Sequence, residues 1–210
     1  MIEEVFNYWR TGGPLMPALA IVSFAIWFYF LRARQAMLDV VHMGDDFEER
    51  LLINLSRQSK EENLAHYKTL PGPLPHAVTE TLRASRGIEK PDAVYDRCQR
   101  AYRDRIDRDV LLLSALTAAA PLLGLLGTVI GMIATFRAVS GQFGNTAVHV
   151  SAGISQALIT TQCGLVVAIP GLFGIARLHR LIDQVRARWG ECRIHIVCLQ
   201  ENSGAEARIA

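Results

Sequence analysis

Three stretches of this chain carry no Asp, Glu, Lys or Arg: 21 residues between Arg10 and Arg32, 27 between Asp109 and Arg137, and 39 between Arg137 and Arg177. Each can supply the roughly 20 apolar residues that one helical crossing of a bilayer requires. A water-soluble fold interleaves charge with core positions every few residues, and these runs do not. The pattern predicts an all-α membrane protein with three transmembrane helices, over residues 14–31, 110–136 and 150–176.

Outside those runs the periodicity stays helical. In segment 1–13, Ile2, Val5, Phe6 and Trp9 share one face and Glu3, Glu4 and Asn7 the other, as in a short amphipathic helix lying on an interface. A frayed terminus is the competing reading. Gly12, Gly13 and Pro14 then break the chain. Residues 32–109 are too many for a mere connector and read as a helical domain, with a capping box at Ser59 and Glu62. Pro71-Gly72-Pro73-Leu74-Pro75 interrupts it, a short helix follows up to Gly87, and Pro91 suits a first helical turn. From there Val94, Cys98, Ala101, Tyr102 and Ile106 form a stripe running straight into the second span. After the third span, Leu178, Leu181, Ile182, Val185, Trp189, Cys192 and Ile196 repeat the arrangement through residues 177–210, whose last eight or so positions are expected to lack order. Residues 137–149 make a short loop.

Net charge of +2 says little, but its sidedness says more. Of 22 Lys and Arg residues, only Arg10 and Arg137 precede the first span or join the second and third. Arg32 and Arg34 follow span one, Arg97 to Arg108 lead into span two, and Arg177 to Arg188 follow span three. The positive-inside rule therefore puts the amino terminus outside, and the long loop and carboxyl tail in the cytoplasm, where the long helices extend into a helical domain. A cleaved signal peptide is not expected, because the first run opens with Glu3 and Glu4 and closes with Arg32 and Arg34. The four cysteines fit a reduced setting without disulfides. Acidic residues interleave with the arginines, which favours a solvated face over nucleic-acid binding.

Spans two and three differ from span one, which is bulky, ends in Trp27-Phe28-Tyr29-Phe30 and is expected to face lipid. In span two, Thr117, Pro121, Gly124, Thr128, Gly131 and Thr135 lie on one helical face. In span three, Gly153, Ala157, Thr161, Gly164, Ala168 and Gly171 do the same. Small residues let helices approach closely, which accounts for glycines such as Gly124, Gly127, Gly131 and Gly164. Alanine would pack as tightly as threonine without a polar group, so the hydroxyls leave two readings open: packing, or a hydrated path facing a polar partner helix. Pro121 and Pro170 each free a carbonyl one turn back and mark either hinges or passive kinks.

The run Pro121-Leu-Leu-Gly-Leu-Leu-Gly-Thr-Val-Ile-Gly131, followed by Gly153-Ile-Ser-Gln-Ala-Leu-Ile-Thr-Thr-Gln-Cys-Gly-Leu-Val-Val-Ala-Ile-Pro170, resembles the ExbB/TolQ/MotA family, its ExbB/TolQ branch above all. The motifs cover roughly residues 110–180, and the topology extends the likeness to the whole chain. The resemblance implies a bacterial inner-membrane energiser, with segments 1–13 and 137–149 periplasmic. It implies a homo-oligomeric ring, pentameric in the family, in membrane lipid around a single-span ExbD/TolR-like partner carrying a membrane Asp, with proton flow producing force on a TonB-like transducer. It implies that Thr128 and Thr161 line the lumen; Thr160, Gln156 and Thr135 join them as ion-pathway candidates. A flagellar or gliding type of stator and a non-conducting scaffold are the alternatives.

One departure stands out. The ExbB/TolQ pattern has Glu where this chain has Gln156, Gln162 is also uncharged, and no span contains a carboxylate. Amides do not titrate at physiological pH, so a relayed proton has to sit on the partner's Asp. Cys192, His195 and Cys198 have metal-capable groups at three-residue spacing but lack a fourth ligand, and packing is the plainer reading. His149, near the outer end of span three, either senses the proton reservoir or caps. With no phosphate loop, nucleophile elbow or paired carboxylates, neither an enzyme, a cofactor nor a metal is expected.

Overall fold

The computed structural model describes residues 9, 11–43, 53, 60–84, 90–140 and 146–209. Most of the amphipathic segment and Ser59 of the capping box fall outside these residues, as do the side chains of His149 and Cys198. A 3-10 turn, Gly13–Leu15, opens helix α1 (Met16–His42). Helices α2 (Lys60–Thr69), α3 (Pro73–Ala84), α4 (Pro91–Ser140) and α5 (Thr146–Ile209) follow. No strand occurs among the described residues.

The helix boundaries follow from local chemistry. Pro91 opens α4, where its missing N–H costs nothing, and Asp92 sits in the first turn where the helix dipole favours an acid. At the carboxyl end of α2, His66 and Lys68 occupy the last turn and the Thr69 hydroxyl donates to His66 O at 2.7 Å. Gly72, at φ +127°, makes the turn into α3. The carboxyl-terminal helix runs on to Ile209, beyond Ile196 where its apolar stripe ends.

Three helices are long and apolar enough to cross a bilayer: Gly13–His42, Pro91–Arg137 and Val150–Ile196. The chain itself buries only 17%, 28% and 22% of their apolar windows. Phe24, Leu122, Leu158 and Phe173 stand exposed on them, and surface of that kind needs lipid or another chain around it. The protein is thus an all-α membrane protein with three candidate spans.

The chain divides into two compact units, and α1, α4 and α5 contribute to both. The apolar unit comprises Met1–Leu31 and Asp109–Arg177. In it span one is two-faced: Met16, Leu19 and Ile26 are buried, while Ile21, Phe24, Trp27 and Phe28 are exposed. Only the second face matches the lipid-facing expectation. Phe30, on the packed side, has the room it needs because Gly174 lacks a side chain, a Cβ there falling 3.0 Å from the ring.

The charged unit comprises Arg32–Arg108 and Leu178–Ala210. Its core includes Met37 and Val40 of α1, Tyr67 of α2, Leu74 and Val78 of α3, and Trp189 of α5. Trp189 is held between two tyrosines of α4. Tyr102 stacks on it with ring centroids 5.5 Å apart, and the Tyr95 hydroxyl donates to Trp189 O at 2.8 Å. The Tyr102 hydroxyl donates to Ala36 O of α1 at 2.7 Å. Burial pushes both phenols well above the usual tyrosine range. On the outer face arginines pair with neighbouring acids, as in Arg193–Asp96 and Arg186–Asp183 at 3.5 Å.

Candidate functional site

Spans two and three pack through a seam in which glycines of one helix receive threonines of the other. A Cβ on Gly171 would lie 2.6 Å from Thr117 Oγ1. A Cβ on Gly153 would overlap Thr135 Oγ1, and one on Gly127 would overlap Thr160 Oγ1. Elsewhere the backbones themselves meet: a Cβ on Gly131 would come within 2.7 Å of Gly153 O, and one on Gly164 within 2.8 Å of Ala120 O. Gly124 takes the same close approach from Thr160 O and Thr161 Cα, each at 3.1 Å. These glycines are required because helices at this separation have no space for a methyl group.

The seam explains why threonine stands where alanine would also fit. A β-branched side chain fills the notch that a glycine leaves opposite. Its hydroxyl is satisfied inside its own helix, by a carbonyl three or four residues back. Thr117 donates to Leu113 O at 2.8 Å, Thr135 to Gly131 O at 3.0 Å, and Thr160 to Ala157 O at 3.0 Å. All three are buried.

The five residues expected along an ion path occupy three different settings. Thr135 and Thr160 are sealed in the seam. Thr161 is half-buried at its edge, where its hydroxyl lies 3.2 Å from Gly124 O across the seam and 3.2 Å from Ala157 O on its own helix. Thr128 is half-buried one turn beyond Gly124 and donates to Leu125 O at 2.7 Å. Gln156 turns toward span one, its carboxamide packed on Gly13 so closely that a Cβ there would overlap Nε2. Thr128 and Thr161 are therefore the two threonines of the set that reach an open edge.

Pro121 is half-buried in α4 and Pro170 exposed in α5, and both helices continue through them. Cys192 is buried in the stripe beside Trp189 and Ile196. Among the described residues no three His, Cys, Asp or Glu side chains gather as metal ligands would.

With this geometry in hand, comparison with known proteins places the chain. A model of the MotA/TolQ/ExbB proton channel family matches residues 73–191. That segment contains α3, α4 with its seam face, and α5 as far as Glu191.

The chain belongs to the MotA/TolQ/ExbB proton channel family.

Several characterised relatives are similar to it. The Tol-Pal system protein TolQ of Pseudomonas aeruginosa is 28% identical over 195 residues, which is 83% of this chain and 81% of the relative. Biopolymer transport protein ExbB of Salmonella typhimurium is 30% identical over 140 residues, 63% of this chain and 57% of the relative. Biopolymer transport protein exbB1 of Vibrio cholerae is 36% identical over 87 residues, 41% of this chain and 38% of the relative. The chain thus spans less than two thirds of the Vibrio and Salmonella proteins and most of the Pseudomonas one.

Two features of this MotA/TolQ/ExbB member change meaning between sequence and structure. Gly13 reads there as a chain breaker, whereas it is the surface on which Gln156 rests. Asp109 reads as the residue that ends a charged stretch, whereas it is 5% exposed and the only buried carboxylate among the described residues. The paired glycines beside Pro14 are the available signal for the first. The signal for the second is spacing: Asp109 stands three residues beyond Ile106 on the apolar stripe, and its exposed neighbour Asp107 does not.

Proposed function

We propose that this chain is the ring-forming subunit of an inner-membrane motor driven by the proton-motive force. Protons pass where a single-span ExbD/TolR-like partner presents a membrane Asp to the Thr128 and Thr161 edge of the seam. Family membership supports the proton-channel chemistry. The observation that carries the residue assignment is the placement of the threonines. Thr135 and Thr160 close the seam, leaving Thr128 and the Thr161 hydroxyl at its edge to orient a carboxyl group or a water.

The charge-free runs 11–31, 110–136 and 138–176 hold no carboxylate, so the subunit supplies hydroxyls and close packing there while the partner supplies the titrating group. One charge crossing 100 mV releases about 2.3 kcal/mol, enough to bias one step of a partner helix. The chain takes no cofactor and performs no covalent catalysis in this reading. It assembles as a homo-oligomer, pentameric as in the resemblance, with its amino terminus in the periplasm.

The output is force on a TonB-type transducer serving outer-membrane transport, as the family resemblance implies; two relatives are named biopolymer transport proteins. A second reading, coupling to a Tol-Pal machine, is favoured by the TolQ relative, whose match extends over 81% of its length. Co-purification separates these readings. The complex is expected to carry a small single-span protein with an acid in its span. Deletion of the gene abolishes TonB-dependent uptake in the first case, and weakens the outer envelope without loss of uptake in the second. A complex that contains no such partner, from cells with both functions intact, would overturn the proposal.

A further inference from the structure

Gln156 lies on the face of span three that is turned toward the start of span one. Its carboxamide crosses Gly13, whose φ of +74° belongs to the left-handed region where L side chains are strained. A Cβ on Gly13 would overlap Gln156 Nε2 and come within 2.8 Å of Cδ. The bareness of Gly13 is thus needed for the contact, and its backbone angle separately disfavours any L side chain there.

The turn beneath is the start of a helix. Helix starts leave several N–H groups without an intrahelical acceptor, and in a membrane protein each of these needs one. Pro14 removes one such donor, Met16 N–H bonds to Gly13 O, and the Gly12 N-cap contributes no side-chain bond. A carboxamide laid over this turn adds an acceptor and two donors to the polar groups that the local sequence brings. One helical turn later on the same face of α5, Thr160 is buried against Gly127. The Gln156 side therefore faces the interior of the apolar unit, while Thr161 is at the seam's edge.

We infer that Gln156 is a positioning residue: it pins the entry turn of span one to span three through Gly13 and stands outside the ion path. The inference deepens the reading of Thr128 and Thr161 as the ion-path residues and rests on it only for the conduction part. Gln156→Glu keeps the reach and the acceptors. A carboxylate placed at a helix start is favoured by the helix dipole, so this variant should assemble as the wild type does. Because the residue lies off the path, the new acid should not add a titration to proton flow.

Two measurements on the purified complex, with its co-purified partner, test this. The first is proton flux into liposomes loaded with a pH-sensitive dye, followed between pH 5 and pH 8. The Gln156→Glu complex should retain the wild-type pH profile within twofold at every point. An added titration step, or a shift of the profile, would place residue 156 in the path and overturn the inference.

The second is thermal unfolding of the oligomer for Gly13→Ala, Gln156→Ala and the double variant. Gly13→Ala should lower the midpoint, and Gln156→Ala in the same chain should restore part of that loss, because the clash is with this side chain. Strictly additive losses would overturn the inference. Absence of flux from the wild-type complex would count against the proposed function, and the unfolding cycle would still decide the contact.

Discussion

The Thr161 hydroxyl reaches across the seam to Gly124 O at 3.2 Å, linking span three to span two at a point where no side chain separates the helices. Its neighbour Thr160 points about 100° further round the same helix, where it fills the notch at Gly127. Adjacent and chemically identical, the two threonines divide the work: one locks the helix pair and the other reaches its edge.

The seam sets the first prediction. Gly164→Ala forces a methyl group toward Ala120 O, a backbone atom that cannot turn aside. Overpacking of this kind costs about 1–3 kcal/mol. Gly190, on α5 in the charged unit, has open space where a methyl group would sit, with nothing within 4 Å. Gly190→Ala should therefore gain about 0.5–1 kcal/mol of helix stability. Thermal unfolding in detergent should move in opposite directions for the two. Equal behaviour would mean that the seam is looser than described.

A second prediction concerns Trp189. Among the described residues its Nε1 is buried without a hydrogen-bond partner, beside a cavity of about 40 Å³ lined in part by Tyr102, Ile106 and Val185. Trp189→Phe then loses bulk but no hydrogen bond, whereas Trp189→Ala empties the site between the tyrosines and should cost about 3–5 kcal/mol. Chemical denaturation of the complex should rank the phenylalanine variant far nearer the wild type. Equal losses would show that the indole N–H does have a partner.

The same cluster predicts an alkaline limit. Burial, the leading cause, holds the Tyr95 and Tyr102 phenols above their usual range, and both donate to backbone carbonyls as neutral groups. The folded state therefore keeps these protons more tightly than the unfolded chain does. Their contribution to stability is complete below the ordinary tyrosine pKa of about 10. It is lost as pH rises past that point toward the raised folded values. Tyrosinate absorbance should therefore show a fraction of phenols that ionise only as helical circular dichroism collapses. Ionisation of every tyrosine with helicity intact would contradict the burial.

Much of this architecture is written in the sequence because the bilayer imposes it. Charge-free runs of 21, 27 and 39 residues admit few other readings. Pro91 marks the start of α4 for the plain reason that proline suits a first turn. The small-residue faces of spans two and three are equally legible as a packing surface. Spacing does not show which side of that face is covered: it puts Thr161 among the small residues, and tertiary packing turns Thr160 inward instead, leaving Thr161 at the edge. The contact of Gln156 with Gly13 joins residues of two separate chain segments, and no local periodicity encodes it. The tyrosine clasp on Trp189 has the same character: the stripe fixes the helix face, and the carbonyl partners come from elsewhere in the fold.

The central claim is that protons cross where Thr128 and Thr161 meet a partner's carboxyl group. Proton flux through liposomes containing the purified complex tests it most directly, compared among the wild type, Thr128→Leu, Thr161→Leu and Thr161→Ser. The account predicts flux in the wild type, at least tenfold less in either leucine variant with the oligomer and partner retained, and most of it kept in Thr161→Ser, which preserves the hydroxyl. Undiminished flux in both leucine variants, from complexes of normal composition, would contradict it.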